Sequence, residues 1–145
     1  MFFESTTMNA TILALLGYFS LILVLLILLL SYRTAVVMQK HRAANAFKPD
    51  GSDVSGLPLR LTRTLGNCIE SFPLIGGLML FALATSSGSV TDALALPLLA
   101  ARLAQSLVHL ISTSVAAVQL RFMFFVVQLV ICGVWILQLT IKFTA

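Results

Sequence analysis

The chain has 145 residues, of which 59% are hydrophobic and only 10% charged, with 9 Lys and Arg against 5 Asp and Glu. A soluble domain carries about 25% charged residues, so this composition excludes one and points to an integral membrane protein. The basic excess could suit nucleic acid, but the charges cluster at the ends of apolar runs, where topology determinants sit, and no nucleic-acid partner is expected.

The chain opens Met-Phe-Phe-Glu, without a basic n-region, and the uncharged run from Ser5 to Tyr32 far exceeds the ~7–15-residue core of a signal peptide. A first span is therefore expected at about 9–32, retained rather than cleaved. It is apolar almost all round over Leu21–Leu30, which suits a helix largely in lipid, with Tyr18 and Tyr32 as interfacial anchors. Residues 33–58 form the one sizeable polar segment, carrying Arg33, Lys40, Arg42 and Lys48. Its first part, to about Phe47, can prolong the first helix; its Pro49-Asp50-Gly51-Ser52-Asp53 string reads as turn chemistry, too short for a calcium loop.

A second span, about 59–85, opens on Arg60-Leu-Thr-Arg63-Thr-Leu-Gly-Asn67-Cys-Ile-Glu70-Ser-Phe-Pro73. At helical spacing Arg60, Arg63, Asn67 and Glu70 share one arc of about 80°. A charge at the bilayer centre costs roughly 2.5–3.5 kcal/mol, so such a stripe faces protein or a wet cavity and marks a candidate site. Pro73 cannot donate to Ile69 and is expected to kink the helix; Gly76 and Gly77 are expected to admit a neighbouring helix closely.

Thr91-Asp92 reads as the N-cap of a third span, about 92–117, with a second polar stripe of Arg102, Gln105, Ser106, His109, Ser112 and Thr113. Arg102 lies mid-run and needs a partner; Glu70 is the one acid of the second span, so their ion pair is expected. The fourth span, about 122–141, is reached through Gln119-Leu120-Arg121, and Arg121, Phe125, Gln128, Cys132 and Trp135 form a narrow seam along it. Cys68 and Cys132 sit in apolar runs as small buried hydrophobes, and with His41 and His109 they give no metal-ligand spacing. The segment 33–63 holds six Arg and Lys while the 86–92 loop has none. The polar loop and Arg121 are therefore expected on the cytoplasmic side, with both termini across the membrane. Arg60, Arg63, Asn67, Glu70, His109 and Arg121 would then meet at one depth. Forked donors there suit carboxylates, Glu70 suits an ammonium, and a guanidinium favours a thiolate.

Four short spans, Arg-x-x-Arg-x-x-x-Asn-x-x-Glu-x-x-Pro opening the second, and an Arg in the third resemble MAPEG, the membrane-associated proteins in eicosanoid and glutathione metabolism. The likeness covers essentially all of residues 1–145, read as one membrane domain. It implies an all-α, four-helix transmembrane bundle assembled as a homotrimer, with glutathione as co-substrate between subunits. Residue by residue, it implies that Arg63, Asn67 and Glu70 contact glutathione, with Arg60 beside them and Arg102 matching the third-span Arg. Arg121, in Gln-Leu-Arg, resembles the Arg that holds the thiolate and would be catalytic. Gln105, His109 and Ser71 stand where the eicosanoid enzymes carry tyrosines, and Phe122 stands where prostaglandin synthases carry Ser, which argues against that chemistry. Two functions of different class follow: a glutathione transferase or peroxidase acting on a hydrophobic co-substrate from the lipid, or a non-catalytic lipid- or ligand-binding partner protein whose polar stripe serves trimer assembly. A transporter is disfavoured, because no repeat pair is present.

Overall fold

The computed structural model describes residues 9–145. The reading of Met1–Glu4 as a start without a basic n-region lies outside them. Helices α1 (Ala10–Met38), α2 (Leu57–Ala84), α3 (Gly88–Ile111) and α4 (Val115–Thr144) follow one another, with one 3-10 turn at Ala44–Ala46. Each is long and apolar enough to cross a membrane. At ~1.5 Å per residue even the shortest exceeds the ~30 Å hydrocarbon layer. Three-residue connections after α2 and α3 leave room only for antiparallel neighbours, and α3 packs against all three other helices.

Helix ends depart from expectation where polar side chains offer the backbone a better partner. Thr91 and Asp92 do not cap the third span, because α3 already begins at Gly88 behind Ser87. They serve α1 instead: Thr11 donates to Asp92 Oδ1 from its backbone N at 2.9 Å and from its hydroxyl at 2.6 Å, with Thr91 Oγ1 2.8 Å from Thr11 Oγ1. Asn9 accepts from Ile12 N at 2.8 Å, so two residues far apart in sequence satisfy the orphan N–H groups of one helix start.

At the other end α1 stops at Met38 rather than running on toward Phe47. Lys40 takes φ 56°, and the Lys40 and His41 amides bond Val37 O and Val36 O, the paired closure of a Schellman turn. The third helix ends at Ile111, earlier than the expected 117, and α4 starts at Val115, earlier than 122. The cause is the Ser112-Thr113-Ser114 run. Ser114 N bonds Ser112 Oγ, and Ser114 Oγ accepts from Ala117 N, so short hydroxyls break one helix and cap the next. Ser112 and Thr113 thus belong to a turn, and Arg121 stands inside α4 rather than at its start.

Pro73 leaves α2 unbroken. The space above Gly76 is filled by the ring of Phe72 from the preceding turn. That ring packs on Tyr18 and Phe19 of α1, at 5.4 and 5.1 Å between centroids. Tyr18 is not an interfacial anchor: it is fully buried, and its hydroxyl donates to Cys68 O at 2.9 Å, giving a buried O–H the partner it requires. Cys68 and Cys132 are buried and free, as their apolar surroundings predict.

Candidate functional site

The polar stripe of α2 splits between two duties. Arg60 Nε donates to Leu110 O at 2.7 Å, satisfying one of the last carbonyls of α3. Asn67 Oδ1 accepts from Arg102 Nη1 at 2.9 Å. The Arg102 guanidinium is 0% exposed and lies 5.5 Å over the Tyr18 ring. The expected Arg102–Glu70 pair does not form. Among the described residues the one ion pair joins Arg42 and Asp53, and Glu70 is exposed. An amide meets the buried guanidinium without desolvating a second full charge, whereas burying the carboxylate would cost several kcal/mol by order of magnitude.

Arg63 and Glu70 remain open. They line a cavity of about 520 Å³ together with Asn67, Thr62 and Gly66 of α2, His109 of α3, and Pro49, Asp50 and Ser52 of the polar loop. A second cavity, of about 240 Å³, shares Asn67 and His109 with the first and adds Gln105, Val118, Arg121, Phe122 and Phe125. His109 lies within electrostatic reach of both Arg121 and Arg63. Gln105 Oε1 accepts from the buried Gln128 Nε2 at 3.0 Å, which fixes the amide and leaves its NH2 as the group available to the cavity. The seam read along the fourth span holds: Gln128, Cys132 and Trp135 are buried, while Arg121 and Phe125 turn toward the cavity.

Six of the eight predicted site residues, Arg63, Asn67, Glu70, Gln105, His109 and Arg121, therefore surround two adjoining cavities. Arg60 and Arg102 line neither and act on backbone and side-chain partners. Sequence reasoning missed Pro49, Asp50 and Ser52, whose only signal was a turn motif, and Thr62 and Gly66, whose signal was their place between members of the stripe. It also assigned Phe122 only a comparative role.

Four membrane-crossing helices with a basic, amide-lined site near one end define a multi-pass membrane protein of the four-helix class. The chain belongs to the MAPEG family, whose sequence profile matches residues 16–141 and so takes in both cavities. No curated protein and no solved structure matches it.

Proposed function

We propose that this chain is a glutathione-binding membrane enzyme, a transferase or peroxidase acting on lipophilic electrophiles. Its family includes proteins of both activities. The observation that carries the proposal is the adjoining pair of cavities, one offering Arg63 and Glu70 and the other Arg121, both bordered by Asn67 and His109. A peptide with carboxylates at its ends and a free ammonium matches the first: the Arg63 fork donates to a carboxylate and Glu70 accepts from the amine. The thiol then lies toward Arg121, whose positive charge favours the thiolate. Thiolate attack on an aryl halide forms the carbon–sulfur bond, and the halide leaves with the bonding pair. Phe122 is 63% exposed and, with Phe125, gives the second cavity an apolar wall for a co-substrate arriving from lipid.

By the distribution of positive residues the site opens to the cytoplasm and both termini lie on the far side. The working form is a homotrimer, with a neighbouring copy closing the outward faces of Arg63 and Glu70. A non-catalytic binding protein whose polar stripe serves assembly is favoured in part by Arg60 Nε and Asn67 Oδ1, which are engaged within the fold.

The test is purified protein in detergent, heated with and without glutathione and then assayed for conjugation of a generic aryl halide. Stabilisation and turnover are expected. Stabilisation alone would favour a binding protein, and neither would sink the enzyme reading. Cross-linking should trap trimers, and a monomer that binds glutathione fully would refute a shared site.

A further inference from the structure

The loop over the larger cavity is a folded strap. Arg42 pairs with the Asp53 carboxylate and donates from Nη2 to Asp53 O at 3.2 Å, while Lys48 N donates to Asp53 Oδ1 at 3.2 Å. The guanidiniums of Arg33 and Arg42 lie 5.3 and 5.2 Å from the centroid of Phe47. Gly51 is buried against the Thr62 side chain with φ +70°, a conformation that favours glycine. These contacts hold the neighbouring Asp50 at the cavity wall, with Glu70, Arg63 and His109 around the same space.

The charges of that wall describe its occupant. Two carboxylates, Asp50 and Glu70, border the cavity, and neither has an ion-pair partner among the described residues. A purely anionic ligand would meet repulsion from both, so complementarity calls for a ligand bearing a cation as well as an anion. One Asp50 oxygen accepts from Ser52 N at 3.0 Å. A carboxylate offers about four acceptor positions, so capacity remains for a ligand. The same Ser52 hydrogen bond holds the Asp50 carboxyl below its ordinary range.

We propose that Asp50 is a specificity residue that shares the ligand's free ammonium group with Glu70, so that the larger cavity selects an α-amino zwitterion over the same molecule with its amine blocked. The proposal rests on the glutathione reading above and gives a residue of the polar loop a part in recognition.

Calorimetric titration of the full chain in detergent with glutathione and with N-acetylglutathione tests it. The wild type should bind the acetylated compound about fivefold more weakly, the scale of a partly screened ion pair. Asp50→Asn, which leaves Glu70 in place, should weaken glutathione by about twofold and leave the acetylated compound unchanged, narrowing the preference. Asp50→Glu should restore it, which separates lost charge from a disturbed loop. The full wild-type preference retained in Asp50→Asn, or no preference in the wild type, overturns the role of Asp50 alone. A wild type that binds neither compound overturns the glutathione reading and this proposal with it.

Discussion

Asn67→Leu should destabilise the bundle more than any change at the exposed members of its stripe. The Asn67 amide is the one hydrogen-bond partner of a guanidinium that is 0% exposed; Arg102 Nε and Nη2 have none among the described protein groups. A hydrogen bond to a charged group contributes about 1.5–3 kcal/mol, and removing one partner of a buried ion pair costs about 3–5 kcal/mol. Asn67 is neutral, so we expect about 2–3 kcal/mol for Asn67→Leu, against about 0.5 kcal/mol or less for an exposed position. Arg102→Met removes the charge and keeps most of the volume, and should be near neutral or stabilising. The double variant should therefore recover most of the loss. Unfolding can be followed by the fluorescence of Trp135, the single tryptophan, which is buried in the bundle core. Wild-type stability in Asn67→Leu, or a double variant no better than Asn67→Leu, would refute the stated role of that bond.

Three further outcomes follow from the same geometry. Arg121→Ala should leave glutathione affinity within about threefold yet raise the pKa of the bound thiol, seen as lost thiolate absorbance near neutral pH. Gly51→Val places a β-branched residue at φ +70° and its Cβ 3.1 Å from Thr62 Cβ, so it should lift the strap and weaken glutathione binding while the helices melt as before. At Asp53, burial pushes the carboxyl up, but backbone hydrogen bonds and Arg42 outweigh it and hold the carboxyl below the ordinary carboxylate range. A depressed carboxyl stabilises above its unfolded pKa, and that contribution is lost as pH falls through the folded value. Amide exchange at Lys48 and Gly51, corrected for intrinsic rate, should stay slow through the ordinary carboxylate range and rise only as the pH falls below it. Unchanged protection below that range would remove the ion pair from the account.

The four spans were legible because their apolar runs are long, and hydrocarbon thickness translates run length directly into helices. The polar stripe from Arg60 to Glu70 was legible because costly charges recur at helical spacing, though Arg60 lines neither cavity. What escaped lies in partner choice. Periodicity puts Arg102 on an inward face but cannot say that Asn67, rather than Glu70, meets it. That depends on which of two residues one turn apart faces α3. The Ser112-Thr113-Ser114 turn was hidden because serine and threonine are tolerated in membrane helices, so their run carried no boundary signal until their hydrogen bonds were seen. Asp50 was hidden for a related reason: a turn motif fixes local backbone, while its position over α2 is set by Arg42, Phe47 and Gly51 acting together.

The bond between Asp92 and the start of α1 has a consequence for biogenesis. It joins residues 81 positions apart, on the first and third helices. When the first helix enters the membrane, Asn9 can already cap Ile12, but the acid that takes the Thr11 amide has not yet been inserted, so that amide depends on water and lipid headgroups. Insertion of the third helix supplies the carboxylate and fastens the two ends together. Membrane integration of α1 and its locking into the bundle are therefore separate events, and the second waits on synthesis of residue 92.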